Sequence, residues 1–238
     1  MKAKNITILI TILVVLAAGS FTYYYKDAFL EKTTALTLEN IEIKDNAKPF
    51  DITINYPQIS GQDDFNGLVK NIADKELSEF KQISLENDQA VKEIDPESYE
   101  RYPRSYYLGI NYDKGQIDED TTSIVFNIEN FTGGAHGAHY PIAINYNVKD
   151  KKEIKLSDLY KNQPDYLQKI SDFCKTELTK QIIERAETIQ GSWIEDGAGP
   201  DEKNYSVFLI NKDKITFYFS EYQVAAYALG SFKVEMPR

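Results

Sequence analysis

The sequence predicts an α+β fold, an antiparallel sheet with helices packed on one face, preceded by an apolar N-terminal membrane helix. Period-2 alternation recurs in short segments along the chain, and two longer segments show helical apolar spacing. The elements come as a ββα start and a βββαββ remainder, which together read as α+β with helices covering one face of antiparallel sheet.

The first element is "MKAKNITILITILVVLAAG", two lysines followed by an uncharged run from Ile6 to Gly19 that continues through "SFTYYY" to Tyr25. About 20 such residues span a bilayer. Lys2 and Lys4 hold the N-terminus on the cytoplasmic side, Tyr23 to Tyr25 form an interfacial belt, and Lys26 ends the span. Residues 1–25 are therefore expected to be a single-pass signal anchor in the cell membrane, with residues 26–238 extracytoplasmic. Ala17-Ala18-Gly19 is also a cleavage signal, and cutting there gives a secreted chain.

Residues 26–103 read as a ββα lobe. Leu36, Leu38, Ile41 and Ile43, then Ile52, Ile54 and Tyr56, mark two strands. Phe65, Leu68, Ile72, Leu77 and Phe80 follow at helical spacing, with Asp63 or Asp64 as the expected cap, and a polar stretch to Pro103 reads as loop. Residues 104–238 read as a second lobe. Three strand patterns, "SYYLGINYDK", "TTSIVFNIENF" and "HYPIAINYNVKD", form an antiparallel meander, the first two joined by the turn-like "GQIDED". A helix from Pro164 to about Ile189 carries an apolar stripe of Leu167, Ile170, Phe173, Leu178, Ile182 and Ile183. "NYSVFLINKDKITFYFS" supplies two more strands around Asn211–Lys214. Gly230 ends a turn before the last strand, and Trp193 reads as core packing after the long helix.

Composition removes several function classes. With 37 acidic against 27 basic residues the formal charge is −10, which argues against a nucleic-acid surface, keeps an exported domain soluble and is compatible with a basic partner. The single cysteine, Cys174, forms no intramolecular disulfide and packs as a small apolar residue in the long helix.

One stretch concentrates unusual chemistry. "NFTGGAHGAHYP", Asn130 to Pro141, holds both histidines and three of the twelve glycines. His136 and His139 have the i, i+3 spacing of a helical metal pair, but Gly133, Gly134 and Gly137 oppose a helix, and a zinc site needs a further ligand. No nucleophile elbow or distinctive carboxylate pair accompanies them. The stretch is foremost a sharp turn between strands, with binding as a further role. No cofactor and no metal is expected.

Three signatures in order carry a resemblance: "FTGGAHGAHYP" after a strand, "INYNVKDKKEIKLSDLY", and "ITFYFSEYQVAAYALGSFKVEMP". From about Ile41 to Met236 the chain resembles the RsiV-like extracytoplasmic domain family, known from the lysozyme-binding half of a bacterial anti-sigma factor and from the non-catalytic part of a peptidoglycan deacetylase. The resemblance implies a membrane-tethered binding module of the cell envelope whose partner is lysozyme, another basic wall-active protein, or peptidoglycan. It points to Thr132, Gly133, Gly134, His136, His139 and Tyr140, together with Tyr222 and Tyr227, as the binding surface. Only "MKAKN" precedes the apolar run, so no sigma-binding domain is expected. The alternatives are an assembly domain for a membrane partner, and a cell-wall-modifying enzyme using His136 and His139; the non-enzymatic reading is preferred.

Overall fold

A computed structural model describes residues 36–102, 104–186 and 191–238. The expected anchor, residues 1–25, lies outside them. No described helix is long and apolar enough to cross a membrane.

β1 (Leu38–Asp45), β2 (Phe50–Ile59), β3 (Tyr106–Ile117), β4 (Thr121–Phe131), β5 (Ala138–Asn147) and the short β6 (Lys152–Glu153) form one six-stranded sheet in chain order. β7 (Phe208–Ile210), β8 (Lys214–Phe219) and β9 (Phe232–Pro237) form a second, antiparallel sheet. The class is α+β, but the large sheet is mixed rather than antiparallel. β2 and β3 run parallel, from Phe50 opposite Tyr106 to Ile54 opposite Ile110. Their pairing also crosses position 103, where the sequence places a lobe boundary.

Parallel neighbours need a long crossover, and helices α1 (Asp63–Ile94) and α2 (Pro96–Arg101) provide it. α1 continues well past Gln82, where its apolar spacing fades and the sequence reads as loop. Its last turns are held by polar groups instead. Gln82 bonds Glu86 and Gln89 bonds Glu93 at i, i+4, while Asp88 accepts from the hydroxyls of Tyr99 and Tyr106. Gln62, not Asp63 or Asp64, occupies the N-cap, and the two aspartates lie in the first turn, where the helix's positive end favours them.

α1 packs across β2, β3 and β4 and buries Phe65, Val69, Ala73 and Phe80. The facing strand residues Ile52, Ile54, Leu108, Ile110, Phe126 and Ile128 are equally inaccessible, and each such side chain contributes about 1.5–3 kcal/mol of transfer free energy. The second sheet has its own helix. α4 (Tyr166–Ala186), which follows the short α3 (Leu156–Leu159) and precedes α5 (Trp193–Gly197), packs Ile170, Cys174, Leu178 and Ile182 with Phe217, Phe219, Phe232 and Val234. The helices thus cover two different sheets, not one face of one. Burial pushes the Cys174 thiol up to about 12, consistent with an inert packing role.

The face of the large sheet opposite α1 meets β7. Ser123 Oγ accepts from the Ile210 amide at 2.8 Å and donates to Asn145 Oδ1 at 2.6 Å, and Asn145 Nδ2 donates to the Phe208 carbonyl at 2.9 Å. Gly115 lets β7 come this close, since a Cβ there would stand 2.3 Å from the Ile210 carbonyl oxygen. That glycine reads as the start of a turn in the sequence, yet β3 continues to Ile117 with a register shift between Lys114 and Ile117. Farther along β3, Asp113 accepts from Tyr218 at 2.8 Å and from Lys233 at 2.6 Å.

Asn145→Leu leaves the Phe208 carbonyl without its buried donor and is expected to cost about 1–3 kcal/mol, measured as a lower urea midpoint at unchanged slope. Burial works against ionisation of Asp113, but hydrogen bonds from Lys233, Tyr218 and Asn127 outweigh it and hold the carboxyl below its usual range. A lowered native value means that this stabilisation is complete above the ordinary aspartate pKa of about 3.9 and disappears as pH falls through the native one. Asp113→Asn protein should therefore lose stability less steeply on acidification below about pH 4 than the native chain.

Candidate functional site

Beyond the seam with β7, the same face of the large sheet is polar. Tyr107 and Asn111 on β3, Asn127 and Glu129 on β4, and His139 on β5 floor an open cleft of about 680 Å3, and Glu221, Tyr227, Ser231 and Lys233 from the C-terminal segments form its other wall. The strand positions follow from the two-residue side-chain period: Glu129 stands opposite His139, and Asn111 opposite Asn127.

The glycine-rich turn forms one rim. Gly133 and Gly134 take φ of 112° and 98°, left-handed values that side chains avoid. The Thr132 carbonyl accepts from Asn87 of α1 at 2.8 Å, which ties the turn to the crossover helix. At Gly137 a Cβ would lie 2.5 Å from the Tyr107 hydroxyl and 2.7 Å from the Asn130 carbonyl oxygen, so the position excludes any side chain. The turn is thus conformational first.

The turn meets the chain's C-terminal region through Tyr227. Its ring lies 4.1 Å from that of His136, centroid to centroid, and its hydroxyl donates to the Gly137 carbonyl at 3.1 Å. Because a carbonyl only accepts, His136 carries its proton on Nδ1 in its own 2.7 Å contact with Gly137 O. Burial, then the nearby Glu221 carboxylate, raises the Tyr227 pKa. On its other side Tyr227 is 5.5 Å from Tyr222, which is 6.4 Å from Trp193. Four rings thus run in sequence from His136 to Trp193. Trp193 belongs to this row and is only partly buried, not a core residue; the core position beside it is Ile194.

Tyr222 is 54% exposed and holds φ at 65°, a conformation that costs a bulky residue about 1–3 kcal/mol. Gln223 holds it there. Its side chain accepts from the Ser220 amide and donates to the carbonyls of Gly197 and Asn204, each donation at 2.9 Å. Strain retained at an exposed aromatic, with an anchored neighbour, marks Tyr222 as a candidate functional residue.

Of the sequence-derived candidates, His139 and Tyr227 line the cleft and His136 and Tyr222 flank Tyr227, whereas Thr132, Gly133 and Gly134 shape the turn, on the side where Asn87 of α1 holds the Thr132 carbonyl. Tyr140 points away from the cleft, toward α1, where its hydroxyl donates to Glu76 at 2.5 Å and burial raises its pKa. Gly230 closes a turn at φ 70° before β9 and lines the cleft. Asn111, Asn127, Glu129 and Lys233 carry no sequence signal, because a polar residue at alternate strand positions reads as solvent-facing. His136 and His139 sit on a loop and a strand, not a helix, and no group of three or more His, Cys, Asp or Glu suited to a metal occurs among the described residues.

Two family models match the chain. Residues 43–139 match that of the deacetylase PdaC, and residues 157–238 match a family of proteins of unknown function, DUF3298. The chain is 27% identical over its whole length to the peptidoglycan-N-acetylmuramic acid deacetylase PdaC of Bacillus subtilis, of which it covers 50%. It is 28% identical over 127 residues, 53% of each chain, to an esterase of Mycobacterium tuberculosis. It spans about half the length of these curated relatives. A crystal structure of a DUF3298 family member from Bacteroides fragilis shares the fold, with a TM-score of 0.53 and 22% identity over 85% of this chain and 90% of the other.

Gly137→Ala should destabilise the protein by about 1–3 kcal/mol, because the Asn130 backbone cannot withdraw from an added methyl. A thermal melt measures it, and tyrosine fluorescence should report the displaced Tyr107 ring.

Proposed function

We propose that the chain is an extracytoplasmic binding module of the bacterial cell envelope and that the cleft, which the His136–Tyr227–Tyr222–Trp193 row meets at Tyr227, holds a segment of peptidoglycan glycan. The observation that carries this is the composition of the cleft: amides, carboxylates, an imidazole and tyrosine hydroxyls on a concave floor, bordered by the solvent-accessible rings of Tyr107 and Tyr227. Sugars present hydroxyls at their edges and C–H groups on their faces, and such a site satisfies both. Likeness to a peptidoglycan deacetylase supports a wall glycan as the ligand. Relatives named as a deacetylase and an esterase also keep a catalytic role in view. The N-terminal apolar segment suits a membrane tether.

A second reading, lysozyme or another basic wall-active protein as partner, is favoured by the formal charge of −10 and by the RsiV-like signatures.

The full chain should co-sediment with purified peptidoglycan, and Tyr227→Ala should weaken that binding about ten-fold, the equivalent of about 1.4 kcal/mol of lost stacking and hydrogen bonding. Failure of the native chain to sediment, or equal sedimentation of the variant, would remove the glycan reading. Binding to lysozyme that weakens steeply with salt would establish the second.

A further inference from the structure

We infer that the cleft selects a glycan bearing a free ammonium group, an unacetylated amino sugar, over its N-acetyl form. This rests on the glycan reading of the site and adds a charge preference to it.

Glu129 of β4, Glu221 of the C-terminal segment, Lys233 of β9 and the imidazole of His139 line the cleft, and Asp113 of β3 lies at its covered end. Asp113 of β3 and Lys233 of β9 neutralise each other at 2.6 Å, and Lys233, the only lysine or arginine in the lining, is held besides 4.7 Å from the Tyr218 ring centroid. What remains is Glu129 of β4, Glu221 of the C-terminal segment, and the imidazole of His139. Neither glutamate has a hydrogen-bond or ion-pair partner among the described side chains, whereas Glu76, the carboxylate buried on the other face, has Tyr140. Glu221 is in addition only partly accessible. An unpaired carboxylate beside the cleft attracts an incoming cation, more strongly at Glu221, which is partly withdrawn from water, than at Glu129, which is exposed. The rings of Tyr107 and Tyr227 border the same space, and the negative face of an aromatic ring attracts an ammonium group.

An acetamido group gains nothing comparable. It is neutral, and its methyl needs apolar contact, for which the lining offers Ala138 as its single aliphatic side chain. The site is built for a cation that also carries hydroxyls.

Calorimetric titration of the full chain with a glucosamine tetramer, an N-acetylglucosamine tetramer and tetralysine tests this. The glucosamine tetramer should bind at least about ten-fold more tightly than the acetylated one. Glu221→Gln, and independently Glu129→Gln, should weaken the glucosamine tetramer far more than the acetylated one and so erase most of that difference. Equal or tighter binding of the acetylated tetramer overturns the charge preference and leaves the glycan reading standing. Binding of neither sugar overturns both. Tetralysine binding as tightly as the glucosamine tetramer overturns the preference for a sugar and assigns the cleft to a basic peptide.

Discussion

The contact on which the rest of the molecule depends is the seam between Ser123, Asn145 and the outer edge of β7. An edge strand carries unpaired amides and carbonyls, and here two side chains of the large sheet take the place of a neighbouring strand. The arrangement is dry, since Ser123 and Asn145 are buried and bonded to each other. It works only because Gly115 presents no side chain to the Ile210 carbonyl. Polar pairing of this kind specifies position more strictly than apolar packing does, because a shift of one residue would strand buried hydrogen-bonding groups.

The cleft is the complement of that seam. Three strands each give one end of their outward face to the second sheet and the other end to the open space: Gly115 and Asp113 against Asn111 and Tyr107 on β3, Ser123 and Val125 against Asn127 and Glu129 on β4, Asn145 and Ala143 against His139 on β5. Where β7 ends, the covering layer stops and the polar floor begins. The Asp113–Tyr218–Lys233 cluster marks the junction and neutralises the lysine that would otherwise balance the charge of the floor. The polarity of the cleft is therefore set by which strand ends stay uncovered, and the stability of the seam and the shape of the cleft are coupled.

The turn and the strained tyrosine serve the same geometry from opposite sides. Gly137 allows Tyr107 and the Asn130 backbone to approach the turn, which brings its carbonyl to Tyr227. Gln223 fixes the backbone beside Tyr222 and so sets the direction in which the aromatic row leaves the cleft. Replacing either residue would alter the shape of the cleft or of the row beside it.

Most of the strands, the first turns of α1, the body of α4 and the burial of Cys174 were legible in the sequence, because alternation and helical spacing are local consequences of which face is buried. The glycine-histidine stretch stood out by its composition and the Tyr222–Tyr227 segment by its family-like signature, and the structure brings the two into contact. The far half of α1 was not, since side-chain pairs and long-range bonds to Tyr99 and Tyr106 replace apolar periodicity there. Parallel pairing of β2 with β3 was hidden for a related reason: residues 50–54 and 106–110 carry strand patterns that suit either direction, and only α1 lying across the sheet decides between them. Glu129, Asn111, Asn127 and Lys233 became site residues only when the second sheet covered part of their face and left the rest open. The sequence by itself determined which residues turn inward and which segments bend. The tertiary structure decided which of the outward ones face each other across a cleft, because that depends on where distant layers end.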